Sequence, residues 1–187
     1  IRDNTTGATN FNFNGGTLRA TTADNPNWFG AAIIANVQAG GAIIDTNGYN
    51  VGINSPLLSA GGGLTKQGAG TLTLAANNTY AGTTTVSGGT LQVGNGGTVG
   101  ALPTTGNVTL QNNANLTFHR SDRAYVYGQN ISGVGSVTFK GPGAGAVYDV
   151  NGTNSYSGPT YLEGAGYLVC LTNNTLPTST VVTWQGI

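Results

Sequence analysis

Residues 61–96, GGGLTKQGAGTLTLAANNTYAGTTTVSGGTLQVGNG, decide how this chain folds. Within them Thr71-Leu72-Thr73-Leu74, Thr84-Thr85-Val86-Ser87 and Thr90-Leu91-Gln92-Val93 alternate apolar residues with Thr, Ser or Gln. Each run is a short strand with one apolar and one hydroxyl-rich face. Glycine or asparagine separates the runs every ~6 to 12 residues, too close for a crossover helix.

The stretch recurs. Asn78-Thr79-Tyr80-Ala81 followed by GTTTVSGGTLQV has its counterpart in Asn154-Ser155-Tyr156-Ser157 followed by GPTYLEGAGYLV. The offset is a constant 76 residues, pairing Tyr80 with Tyr156, Gly82 with Gly158, Val86 with Leu162, Gly88 with Gly164 and Val93 with Val169. Upstream, Leu64-Thr65-Lys66 and Gly70-Thr71-Leu72 match Val137-Thr138-Phe139-Lys140 and Gly145-Ala146-Val147, with the offset slipping by a residue or two. A fainter echo, Gly15-Gly16-Thr17-Leu18-Arg19, resembles Gly88-Gly89-Thr90-Leu91-Gln92.

Short alternating strands suit a sandwich as well as a solenoid. Two features favour the solenoid. A long constant offset is what stacked coils produce, each coil being expected to meet the environment of the last. Stacking in register also lets Thr and Asn form uncharged side-chain ladders. At about 20–25 residues per coil the chain makes about eight coils, a rod on the order of 40 Å long. The expectation is one all-β unit over residues 1–187, with repeat copies at about 61–96 and 133–170.

The Gly-Leu-Thr-Lys-X-Gly-X-Gly-Thr-Leu-Thr-Leu run, the Asn-Thr-Tyr-X-Gly-X-Thr-Thr-Val turn and the closing Gly-Gly-Thr-Leu closely resemble the passenger-associated transport repeat of bacterial autotransporters. Residues 106–137, with Asn115-Leu116-Thr117-Phe118-His119-Arg120-Ser121-Asp122, look like the sequence linking successive repeats in such proteins. The resemblance covers most of the chain from about Ala42 to Leu176. It implies a right-handed parallel β-helix, exported and displayed on or released from a bacterial surface. It implies a stalk without an effector activity. The second copy departs from the pattern at Pro142, Pro159 and Glu163.

Composition agrees with this class. Of 187 residues 32 are glycine, and only 6% are charged, with 6 Lys+Arg against 6 Asp+Glu. An ordinary domain carries about 25% charged residues, so neither a nucleic-acid face nor an acidic tail can be assembled. No apolar run approaches the roughly 18 residues of a membrane-spanning helix, and direct membrane insertion is not expected. With 38% hydrophobic residues the chain can bury a core. The single cysteine, Cys170, has no internal disulfide partner.

Chemistry is sparse. His119, Arg120, Asp122 and Arg123 form the one cluster of ionisable groups. A His with an Asp can exchange protons, and two Arg can grip a carboxylate or sugar acid. Arg with Asp at a turn also makes a local ion pair, and that reading carries more weight here. Polysaccharide-cleaving β-helices need neighbouring carboxylates, and the six acids, Asp3, Asp24, Asp45, Asp122, Asp149 and Glu163, share no strand. No nucleophile-elbow pattern, phosphate loop or zinc set is present. No cofactor, metal or catalytic residue is expected.

Tyr125 and Tyr127 flank Val126 and so share a face, with Tyr161 and Tyr167 as possible neighbours. Exposed, such a row is a sugar-binding strip; buried, it is ladder packing, which is favoured. Arg120, Asp122, Arg123, Tyr125 and Tyr127 are thus the ligand candidates. Trp28 and Phe29 read as a loop with an apolar anchor, and Trp184 as a cap or contact. Beyond Arg2 and Asp3 neither end carries a charged or helical cap, although open strand edges normally need one. The ends therefore either continue into flanking coils of a longer rod or pair head to tail. Ile1, Phe11, Phe13, Val181, Val182, Trp184 and Ile187 are the interface candidates.

The sequence thus points to an extracellular or cell-surface stalk or fibre module in adhesion or matrix formation. Its expected partners are itself, flanking coils, surface glycans or host matrix. The alternative is a glycan-binding or glycan-cleaving β-helix.

Overall fold

The computed structural model describes residues 9–141, 146–164, 167–169, 176–178 and 181–185. Among them every regular element is a strand, and all named strand pairs are parallel. The chain winds through three faces in turn. The first coil places β1 (Thr9–Phe13), β2 (Thr17–Arg19) and β3 (Asn25–Phe29) on faces one, two and three. The second uses β4 (Ile33–Gln38), β5 (Ala42–Asp45) and β6 (Val51–Ile53), and the third β7 (Leu57–Ala60), β8 (Leu64–Gln67) and β9 (Thr71–Leu74). Coils four and five have no strand on face one and continue with β10 (Thr84–Val86) and β11 (Thr90–Val93), then β12 (Val108–Leu110) and β13 (Asn115–His119).

Face one resumes in the sixth coil with β14 (Tyr125–Tyr127), followed by β15 (Ile131–Gly133) and β16 (Ser136–Lys140). The seventh coil holds β17 (Val147–Val150), β18 (Ser155–Tyr156) and β19 (Thr160–Glu163); of an eighth, β20 (Tyr167–Val169) and β21 (Val182–Gln185) are described. This is a parallel β-solenoid. Face two stacks seven strands and face three eight, so face three is about 34 Å long at ~4.8 Å per strand. Coil length ranges from 19 residues, Leu72 to Leu91, to 26, Asn25 to Val51.

The alternation sends one set of residues into a continuous core. Leu72, Leu91 and Leu116 stack in register on face three, as do Leu74, Val93 and Phe118. All six are buried. Their Thr, Gln and Asn neighbours point outward, where Thr73, Gln92, Thr117 and Thr138 form one continuous row. Trp28 and Phe29 belong to strand β3 and not to a loop; Phe29 is fully buried against Phe11 and Phe13. Among the described strands β3 pairs with β6 alone, and Pro26 falls in the irregular stretch between the paired Asn25 and Phe29, where its missing N–H breaks no described ladder bond.

The two repeat copies do not meet the same environment, contrary to the expectation from their constant offset. Thr84–Val86 of the first copy lies on face two, whereas its counterpart Thr160–Glu163 lies on face three. Likewise Thr90–Val93 lies on face three and Tyr167–Val169 on face one. The arithmetic explains it. Thr85, Thr109, Ser132 and Ser155 are successive partners on face two, so three whole coils take 70 residues from Thr85 to Ser155. A 76-residue offset carries the chain six residues further, across one corner to Tyr161 on face three. The echo at Thr17–Arg19 lies on face two. The closing motif therefore visits faces two, three and one in succession.

Candidate functional site

The corner device that each copy carries is the same, although the faces differ. In the first copy the Asn78 side-chain oxygen accepts the Leu57 amide at 3.0 Å while its amide donates to the Ala76 and Ala101 carbonyls at 2.9 and 2.8 Å. In the second, the Asn154 oxygen accepts the Ile131 amide at 2.8 Å and its amide donates to the Gly152 carbonyl at 3.1 Å. Two residues on, the buried Tyr80 and Tyr156 hydroxyls each meet a threonine, Thr84 and Thr160, at 2.6 Å. Burial drives the Tyr80 pKa far above its ordinary value. Gly82 and Gly158 follow, where a Cβ would stand 2.6 Å from the Gly63 amide nitrogen and 2.3 Å from the Gly135 carbonyl. Only glycine lets the coils approach so closely.

Lys66 of the GLTK run is fully buried, a placement the motif alone did not reveal. Its ammonium donates to Thr46 Oγ1 at 2.9 Å, the Gly68 carbonyl at 2.6 Å and the Gly88 carbonyl at 2.9 Å, with the Gln67 carbonyl at 3.2 Å. It thus ties three successive coils at one corner. Burial pulls its pKa down to about 8, against a smaller upward pull from Asp45.

The predicted ionisable cluster resolves into a latch. Arg120 is buried and grips Asp122 through Nε at 2.9 Å and Nη2 at 2.6 Å. The same guanidinium donates to the Thr98 and Gly100 carbonyls and lies 4.3 Å from the Tyr125 ring centroid. It thereby fills the corner beside the stretch where face one lacks strands. Arg123 is exposed and makes none of these contacts. His119 turns away, its imidazole against Gly96 and beside Lys140; burial first and Lys140 second lower its pKa.

Tyr125 and Tyr127 face inward onto Phe118, with ring centroids at 5.8 and 5.1 Å, and Val126 between them is exposed. Phe139 stacks on Phe118 at 5.5 Å, and Tyr148 joins Phe139 at 5.2 Å. The Tyr148 hydroxyl accepts the Arg120 amide at 2.8 Å and donates to the Lys140 carbonyl. Burial raises the Tyr125 and Tyr148 pKa values to about 12. Tyr161 lies apart, on the outside of face three. The side chain of Tyr167 lies outside the described set.

Four acids have polar partners: Asp24 with Asn50, Asp45 with Arg19 at 3.2 Å, Asp122 with Arg120, and Glu163 with Lys140 at 3.7 Å. Among the described residues no three His, Cys, Asp or Glu gather where a metal could bind, and no helix is long and apolar enough to cross a membrane.

Of the end residues, Phe13 is buried and Phe11 half-buried in an aromatic triad with Phe29. Val181, Val182 and Trp184 are 67, 51 and 61% exposed, and β21 pairs with β19 alone among the described strands. Ile1, Cys170 and Ile187 lie outside the described residues.

A parallel β-solenoid that carries the same Asn-X-Tyr-X-Gly clamp at two of its corners is a rod built from sequence repeats. The passenger-associated-transport-repeat family matches residues 64–93, from β8 through β11. The chain carries that repeat and is an autotransporter passenger repeat protein. It is also similar to the adhesin BmaC autotransporter of Brucella suis biovar 1 (strain 1330), 33% identical over 194 aligned residues. That alignment takes in 86% of this chain but 5% of the relative, so the chain spans a small part of the relative's length. No solved structure matches the chain.

Proposed function

We propose that this chain is a segment of an exported, cell-surface autotransporter passenger, a non-enzymatic rod that carries adhesive surface away from the cell. The carrying observation is the adhesin similarity across 86% of the chain, joined to a solenoid whose in-register ladders supply stiffness and repeated polar contact. The pairing of Asp122 with Arg120 and of Glu163 with Lys140 favours structural over acid–base duty for those carboxylates.

The exposed Val182 and Trp184 of β21, with Val181 just before it, support a second element of the reading, that a further coil docks there. That coil belongs either to the same polypeptide or to a second copy joined head to tail. An epitope inserted at the exposed turn at residues 111–113 of the full-length natural protein tests the display. Antibody labelling of intact bacteria is the expected result; an epitope reachable only after lysis would overturn the reading. Electron microscopy of the chain over a concentration series tests the head-to-tail form, which predicts filaments lengthening with concentration.

A further inference from the structure

Strands β13 and β16 break the alternation kept by β9 and β11. Leu116 and Phe118, and Val137 and Phe139, enter the core, so Thr117 and Thr138 between them point outward. Yet the two threonines are only 7 and 5% exposed. They form the floor of a groove of about 360 Å³ that crosses β11, β13, β16 and β19 and therefore runs along the rod axis. Gln92 and Asn115 line it at one end, and Lys140, Tyr161 and Glu163 at the other.

Bonds within the floor fix its geometry. Thr117 Oγ1 donates to Asn115 Oδ1 at 2.6 Å, and the Asn115 amide donates to Ser136 Oγ at 2.8 Å and Thr138 Oγ1 at 3.0 Å. The groove's two charges, Lys140 and Glu163, stand 3.7 Å apart and offset one another.

We propose that this groove binds a neutral, extended β-1,4-linked oligosaccharide lying parallel to the rod axis, with one sugar ring over Tyr161. The occupant follows from three properties. Hydroxyls and amides both donate and accept, which matches the mixed donors and acceptors of sugar hydroxyls. The paired charges favour a ligand without net charge, because a polyanion meets Glu163 and a polycation meets Lys140. Successive strands are about 4.8 Å apart, close to the advance per sugar in an extended β-1,4 chain, so consecutive sugars meet consecutive rungs. Tyr161 supplies the flat apolar surface that a pyranose ring covers. The cellular role of such binding rests on the surface display proposed above; the binding itself does not.

The test is calorimetric titration of the purified chain with cellohexaose and with chitohexaose, beside size-matched heparin fragments. Binding of a neutral hexasaccharide is expected, weakened at least tenfold by Tyr161→Ala, retained by Tyr161→Phe and unaffected by Thr73→Val on the same face outside the groove. Matching melting curves show that the variants fold. Absence of binding by either neutral sugar up to about millimolar concentration would overturn the proposal, as would heparin binding alone that Lys140→Gln abolishes. Either result with intact cell-surface labelling would leave the display reading standing.

Discussion

The two repeat copies share a sequence and differ in what their lysine does. Lys66 is buried at a corner and ties three coils, whereas Lys140 stands at the surface in an ion pair with Glu163. The cause is a slip of one residue. In β8 the inward positions are Leu64 and Lys66; in β16 they are Val137 and Phe139, and Lys140 falls on the outer face. Because strand side chains alternate, one added residue exchanges core for solvent. Phe139 then extends an aromatic stack that the first copy lacks at that position. The Asn-X-Tyr-X-Gly clamp is identical in both, one face apart. The repeat therefore specifies a corner, and the coil length decides on which face that corner appears.

The largest expected effect contrasts the two lysines. Lys66→Met removes the ammonium from four acceptors at a buried corner and should cost about 3 kcal/mol, while Lys140→Met removes an exposed pair and should cost under about 1 kcal/mol. Urea-unfolding midpoints measure both. Comparable losses would show that the two corners are built alike.

Next is the clamp. Asn78→Ala and Asn154→Ala each leave a buried amide without its acceptor, and each should cost about 2 kcal/mol. Tyr80→Phe and Tyr156→Phe, each losing one hydroxyl contact, should cost about 1 kcal/mol. The same unfolding curves report them. Equal values within each pair sharpen the view of one portable device; a large cost in one copy alone would break it.

A third contrast is in the pH dependence of stability. The folded Lys66 pKa lies near 8 and its ordinary value is 10.5. Below about pH 8 both states are protonated; between there and 10.5 the unfolded chain binds more protons, so stability rises with pH. Tyr125 and Tyr148 act oppositely. Their pKa values are raised from 10.0 to about 12, so above pH 10 the unfolded chain loses protons first and stability falls. Melting temperature should climb from pH 8, peak near pH 10 and then drop. Lys66→Met should flatten the climb and leave the drop.

The strands were legible from Thr71–Leu74, Thr84–Val86 and Thr90–Val93, because alternation and punctuation are local signals. The solenoid was legible only from the recurrence of the stretch and the resemblance it carries. That Tyr125 and Tyr127 share a face was legible from alternation too, but alternation does not say that the face turns inward. The placement of copies on different faces was not, since it depends on the length of every intervening coil. Nor was the groove, whose depth arises where Gln92, Asn115, Lys140 and Tyr161 from four separate strands surround two threonines. Lys66 and the Arg120 latch resemble surface charges in sequence; only the stacking supplies their carbonyl acceptors.

The central claim is that the 76-residue repeat advances the chain by three whole coils and one face. Engineered disulfides test it directly in a Cys170→Ser background. Thr138 and Tyr161 are in-register partners on face three, and Ser132 pairs with Ser155 on face two. Paired strands bring such residues within the separation a disulfide spans. Thr138→Cys with Tyr161→Cys should oxidise readily and raise the melting temperature, while Ser132→Cys with Tyr161→Cys should remain reduced under the same conditions. The reverse pattern would place the second copy on the first copy's face and contradict the account.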